Sequence, residues 1–408
     1  MRKMKDSGVE WIGEIPKDWN CMRLKFAFGN SNVGESVDKE LYSSDENGYI
    51  FYTAGANPVK TSYTEFPMWK YTTDNDILLA RNGTPYIYLP SKDAVYSDHI
   101  IRINIKDGYC RRFLRYCLQR SIESIIVDSV SIATWSISLW KEQKLPLPYY
   151  HEQKYLADYL DSKCSKIDEI IEKQQAIIKK LKEYKFSIIT EAVTKGINPD
   201  VELKDSTIDM CEQIPVHWGI SQNRYLFLLR DEKNYKPLEE VRLLSLYTDL
   251  GVFPHGEQEE RGNKAVKAEG YKVVYENDIV VNIILAWMGA IGRSAYDGVT
   301  SPAYDIYKPN ENVCSRYYHY LYRTKPFSAE CYKYGRGIMA MRWRTYSSEF
   351  KSIKVPVPPY IEQCQIADYL DSKCEMLDKT IADRNKAIDI LQEYKKSLIY
   401  EVVTGKKE

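Results

Sequence analysis

The sequence predicts a mixed α/β chain of one design used twice: a globular segment, a proline-flanked strand and a long helix, then the same again. Three observations predict it. Blocks of sequence recur at a near-constant offset along the chain. Two long segments, 151–195 and 361–404, contain neither Gly nor Pro and carry apolar residues at steps of three and four. Each is preceded by a short strand with alternating prolines, Leu145-Pro146-Leu147-Pro148 and Val355-Pro356-Val357-Pro358. A chain of 408 residues can bury two or three separate cores.

The repeat is sharp at its ends and faint in its middle. Lys5-Asp6-Ser7 recurs as Lys204-Asp205-Ser206, and Ile15-Pro16-x-x-Trp19 as Ile214-Pro215-x-x-Trp218, both 199 residues later. Ala157-Asp158-Tyr159-Leu160-Asp161-Ser162-Lys163-Cys164 recurs unchanged as Ala367 to Cys374, 210 residues later. The second copy is therefore longer, and the extra length lies between the matched ends. Inside, Asn75-Asp76-Ile77 echoes Asn277-Asp278-Ile279, each opening an apolar strand. Cys110-x-Arg112 echoes Cys314-x-Arg316, each opening an aromatic stretch that fits a helix. One framework thus carries two different inserts. A single active site gains little from that arrangement, whereas a reader of two unlike half-sites needs it. Drift after an old duplication is the alternative.

The long segments read as a coiled-coil seam. Leu160, Cys164, Ile167, Ile171, Ile178, Leu181, Ile188 and Ala192 line the first. Leu370, Cys374, Leu377, Ile381, Ile388, Leu391, Leu398 and Val402 line the second. Gln174 and Arg384 interrupt the seams at matched places, as do Lys185 and Lys395. Polar residues there either fix register or rotate off the seam. The two rods can pair with each other, with helices of partners, or both.

Composition excludes several classes. Lys+Arg and Asp+Glu both number 57, so the formal net charge is zero. The N-terminus leads into no apolar stretch, so no secretory signal is expected. The greasiest run, Ile279 to Gly292, is too short to cross a bilayer and reads as buried strand plus loop. Nine cysteines without a C-x-x-C pair fit free thiols in a reducing cytosol. Five scattered histidines offer no metal-ligand spacing. Pro358-Pro359-Tyr360 has Val357 where an amino-methyltransferase motif needs Asn or Asp. In Pro199-Asp200-Val201-Glu202-Leu203-Lys204 the two acids stand too close to serve a nuclease metal from separate strands. No phosphate-binding loop and no glycine-rich site for S-adenosylmethionine is recognisable.

Side chains suited to bases and phosphates cluster at three places. The richest is Tyr332 to Lys354, with Lys333, Arg336, Arg342, Trp343 and Arg344; its first-copy counterpart holds Ser131 and Thr134. Arg81, Asn82, Gly83 and Thr84 follow an apolar strand, with Asn282 parallel to them in copy two. A strand-end turn is the alternative for both loops. Arg112, between Arg111 and Arg115, is the third candidate, or part of a solvated helix face.

The opening Lys5-Asp6-Ser7-Gly8-Val9-Glu10-Trp11-Ile12-Gly13-Glu14-Ile15-Pro16-Lys17-Asp18-Trp19 resembles that of type I restriction-modification specificity subunits. Two variable regions, each followed by a proline strand and long helix, extend the resemblance over the whole chain. The second opening departs at Thr207, Met210 and Glu212. The resemblance implies target-recognition domains at 1–145 and 204–355, separated by two long antiparallel helices. The first helix lies with its proline strand and linker in 146–203, the second with its proline strand in 356–408. It implies a non-catalytic subunit that reads a bipartite, asymmetric site in double-stranded DNA. The helices would dock two methyltransferase subunits and, through them, restriction (nuclease-translocase) subunits. No cofactor is expected in this chain; S-adenosylmethionine, ATP and Mg are expected on the partners. A prokaryotic cytoplasmic setting without a membrane follows, and partners closing around the duplex would account for the neutral charge. The competing reading is a coiled-coil scaffold that does not read sequence.

Overall fold

The computed structural model describes residues 2–43, 48–126, 134–248, 250–256, 267–337 and 343–407. The chain divides into two compact units, Met1–Gln175 with Asn385–Glu408, and Ala176–Arg384. Each unit takes half of each long helix, where the sequence-derived boundaries set those helices apart as segments of their own. The principal helices are α1 (Arg111–Ile126), α2 (Tyr150–Lys195), α3 (Ser315–Tyr322), α4 (Lys325–Tyr334) and α5 (Tyr360–Val403).

The faint middles of the repeat share one four-stranded sheet order, while their remaining strands form a second four-stranded sheet in the first unit and two two-stranded sheets in the second. In the first unit an antiparallel sheet runs in the order Phe28–Val33, Ile100–Ile105, Asp76–Ala80, Ile87–Tyr88. In the second the order is Phe227–Arg230, Tyr304–Pro309, Ile279–Asn282, Ile291–Arg293. The Asn-Asp-Ile echo has a physical cause. Asp76 and Asp278 are buried, and each carboxylate accepts from a backbone N–H three residues earlier, Thr73 at 2.6 Å and Tyr275 at 2.9 Å. Each also pairs with an arginine of the same sheet, Arg102 of the adjacent strand at 2.8 Å and Arg230 two strands away at 2.9 Å, as a buried charge must. Burial still pushes the Asp278 carboxyl up.

The proline strands close each domain. Lys144–Leu147 pairs antiparallel with Asn20–Arg23, and Lys354–Val357 with Gly219–Gln222, so the two ends of each insert meet. These sheets have two strands, where a residue lacking its N–H is tolerated.

The Ile-Pro-x-x-Trp motifs serve the helix ends. Gly405 and Gly196 follow α5 and α2 with φ of +69° and +80°, the left-handed stop that favours glycine. Both lie against the motif of their own unit: a Cβ on Gly405 would meet Pro16 and Trp19, and one on Gly196 would meet Trp218.

Candidate nucleic-acid interface

The unchanged octapeptide exists because both of its aspartates are used. In the first unit Arg112 donates to Asp158 and Asp161, each at 2.6 Å, and the Tyr116 hydroxyl donates to Asp161 at 2.7 Å. In the second unit Arg316 donates to Asp368 at 2.7 Å and Asp371 at 2.8 Å, and Tyr320 to Asp371 at 2.6 Å. Those carboxylates hold the guanidinium protons of Arg112 and Arg316 more firmly than usual. Arg112 therefore braces α1 against α2, which corrects its reading as a DNA contact. A buried glutamine adds a second tie in each unit. Gln153 accepts from the Cys110 N–H and donates to the Pro148 carbonyl, both at 2.9 Å; Gln363 does the same for Cys314 and Pro358. Pro358-Pro359-Tyr360 is thus a framework turn.

The seam residues Leu160, Ile167, Ile171, Ile178, Leu370, Leu377, Ile381 and Ile388 are buried; Leu181, Leu391, Gln174 and Arg384 are half-buried. The helices run antiparallel within each unit. In the second, Lys185 donates to Asp378 at 2.6 Å while Gly196 lies beside Glu362. In the first, Lys395 donates to Asp168 at 2.6 Å, and Gly405 shares a pocket with Glu152 and Leu156. The seam lysines face aspartates of the opposite helix, which ties register to charge.

At the rim of the first sheet, candidates distant in sequence come together. Asn82 and Thr134 form an antiparallel bridge, and the Trp135 N–H donates to the Arg81 carbonyl at 2.6 Å. The Trp135 indole N–H donates to the Gly83 carbonyl at 3.1 Å. Gly83 turns with φ +67° and leaves Thr84 exposed. Arg81 reaches back to the Asp98 carbonyl at 3.2 Å, and the Asn82 amide meets His99 Nδ1 at 2.9 Å. The rim thus presents Asn82, Thr84, His99 and Thr134. His99 escaped the sequence reading, because only strand pairing brings it beside Asn82. Ser131 lies outside the described residues.

The second unit has the same clamp with different chemistry. The Thr345 N–H donates to the Ile283 carbonyl at 2.8 Å, as Trp135 does to Arg81. Just before it, Arg336 and Arg344 form an antiparallel bridge. Trp343 stacks on Tyr332 with centroids 4.9 Å apart and 20° between planes, and Trp287 packs on Tyr332 at 5.8 Å. Lys333 is tied to Asp209, and Arg336 to Glu349 at 3.0 Å. Arg342 lies outside the described residues. Asn282 is a correction: it is buried, and its side-chain oxygen accepts from the N–H groups of Ile284 at 3.0 Å and Leu285 at 3.3 Å. It shapes the turn. The strand-end alternative holds there.

Among the described residues, no group of His, Cys, Asp and Glu could hold a metal, and no helix is long and apolar enough to cross a membrane.

Comparison with known proteins agrees with this geometry. Residues 16–191 match the family described as type I restriction modification DNA specificity domain. The putative type I restriction enzyme MjaX specificity subunit of Methanocaldococcus jannaschii is 24% identical, over 97% of this chain and 95% of that protein. The MjaVIII specificity subunit of the same organism is 23% identical, over 96% and 93%. A chain from a structural study of type I R-M system assembly and conformational transition superposes with a TM-score of 0.68 at 12% identity, covering 96% of this chain and 99% of that one. The HsdS subunit of Thermoanaerobacter tengcongensis gives 0.52 at 14% identity, covering 98% and 99%.

Proposed function

This chain belongs to the family of type I restriction-modification specificity subunits, and we propose that each of its units reads one part of a bipartite DNA site. The observation that carries this reading is the repeated clamp. One sheet topology and one backbone tie, Trp135 to Arg81 and Thr345 to Ile283, present two unlike sets of side chains. The first rim offers amide, imidazole and hydroxyl groups, and the second offers arginines flanking Trp343, which stacks on Tyr332. A shared sheet order with different rims suits two different half-sites.

The partners follow from the helices. Ile170, Ile177 and Tyr184 on α2, and Met376, Ile390 and Tyr394 on α5, remain exposed beside the buried seam. Such surface suits docking of two methyltransferase subunits, with restriction subunits joining through them. S-adenosylmethionine, ATP and Mg belong on those partners, and this chain performs no chemistry of its own. The setting is the prokaryotic cytoplasm, in keeping with nine free cysteines.

The test is the methylome of cells expressing the chain with its methyltransferase partner. A split motif is expected. Replacing residues 20–145 by the matching segment of a relative should change one half of the motif and leave the other. A complex that assembles but methylates without sequence preference would overturn the reading in favour of a scaffold. An exchange that rewrites both halves would overturn the division of labour.

A further inference from the structure

We propose that Arg336 is a guanine-reading residue of the second unit, and that buried Glu349 is the positioning residue that aims it. The inference rests on the DNA-reading function above and assigns one base of one half-site.

Three observations converge on this pair. The first is the bridge itself. Arg336 N donates to Arg344 O at 2.9 Å, and Arg344 N donates to Arg336 O at 2.9 Å. That exchange marks a hydrogen-bonded antiparallel pair, whose side chains leave the backbone on one face about 5.5 Å apart at Cα. Two like charges placed so are unfavourable for the folded chain. No carboxylate pairs with Arg344 among the described residues, so one of the two charges goes uncompensated. The acceptor-rich major groove of DNA supplies what the protein does not.

The second is the way Arg336 is held. Its Nε lies 3.0 Å from Glu349 Oε1, while its side chain is 78% exposed and that of Glu349 only 9%. Glu349 is in turn fixed by Ser348, whose hydroxyl donates to Oε2 at 2.5 Å. The carboxylate sits at ion-pair distance from Nε, and among the described residues neither terminal nitrogen has a hydrogen-bond partner. A planar fork oriented in advance loses little freedom on binding and matches the paired O6 and N7 acceptors of guanine. Arg344 has no such anchor and suits a phosphate, which asks for charge more than direction.

The third is the rigid stem. Trp343 is stacked on Tyr332, its indole N–H donates to the Tyr332 carbonyl at 3.0 Å, and buried Thr345 donates to the Cys331 carbonyl at 2.9 Å. The segment from Trp343 to Thr345 is therefore held against the end of α4 on both sides of Arg344. On the matching backbone tie the first unit carries Thr134 where the second carries Arg344, so the charge at that position belongs to the second unit.

The experiment uses the specificity chain with its methyltransferase partner. The motif is first read from the wild-type methylome, and binding is then measured on duplexes carrying each base at each position of the second unit's half. Arg336→Lys keeps the charge and removes the fork. It should lower discrimination at one guanine by at least about tenfold, leaving the salt dependence and the other half-site unchanged. Glu349→Gln should relax the same position with a smaller loss, and Arg344→Ala should weaken binding evenly across sequences. If Glu349 were only structural, its variant would lower the melting temperature without changing base preference. The proposal is overturned if the second half-site contains no guanine, or if Arg336→Lys and Arg336→Ala both keep full discrimination at every position. A wild-type complex without sequence preference would instead overturn the DNA-reading function, and this inference with it.

Discussion

Replacing Gln153 by leucine should destabilise the first unit by about 2–4 kcal/mol with little change of volume. The side chain is 1% exposed and joins three segments: the start of α1, the end of the proline strand and the first turn of α2. Its carbonyl accepts from the Cys110 N–H, one of the donors that a helix start leaves without an internal partner, and its amide donates to the Pro148 carbonyl. Leucine fills the space and serves neither group. A buried donor or acceptor left unpaired costs about 1–3 kcal/mol, so two should give about 2–4 kcal/mol after the favourable burial of leucine. For a unit of about 200 residues, each kcal/mol lowers the melting temperature by about 2–4 °C, so the fall should be about 5–15 °C. Gln363→Leu should do the same in the second unit, through Cys314 and Pro358. Calorimetry should resolve which transition moves, and amide hydrogen exchange at Cys110 or Cys314 should rise only in the unit that was changed. A shift below about 0.5 kcal/mol, the range of ordinary surface substitutions, with the Cys110 amide still protected, would refute the assignment of this glutamine as the tie.

Other outcomes follow from the same contacts. His319 accepts from the Arg293 N–H and lies near the Arg293 and Arg323 cations; burial first, then those charges, push its imidazole down to about 3. Its stabilising contribution is present above about pH 6.5, where the unfolded imidazole is neutral, and falls toward pH 3 by at most about 1.4 kcal/mol per pH unit. His319→Gln should flatten the acid limb of the second unit's melting profile, measured from pH 7 to 4. Gly335→Ala would place a Cβ 2.5 Å from the Trp343 indole nitrogen and 2.9 Å from the Cys331 carbonyl. It should cost about 1–3 kcal/mol, disturb the near-ultraviolet signal of the Trp343–Tyr332 stack and weaken only the second half-site. Lys185→Glu sets two carboxylates across the helix pair and should cost about 1 kcal/mol, recovered by adding Asp378→Lys; failure of the double variant to recover would show that this pair does not set register.

Much of the framework was legible because each repeated block has a partner that also repeats. The helix pattern gave α2 and α5 to within a residue or two, since apolar spacing and the absence of Gly and Pro are local properties. The repeated Asn-Asp-Ile and Ile-Pro-x-x-Trp motifs were visible as signals, but their causes were not: a buried Asp–Arg pair and a tryptophan on a helix-ending glycine both join residues far apart in sequence. The candidate interface was harder for the same reason. Lys333 and Arg112 look like free cations until Asp209, Asp158 and Asp161 are placed beside them. Asn282 has the residue type of a base reader, yet the same amide oxygen serves a turn equally well. Cys-x-Arg and the octapeptide recur together, and a basic residue kept beside two kept carboxylates belongs to the framework. A residue that distinguishes half-sites must lie where the copies differ. By that criterion Arg112, matched by Arg316, is disfavoured as a reader. Arg344 stands where the first unit has Thr134, and it remains, with Arg336 bridged to it.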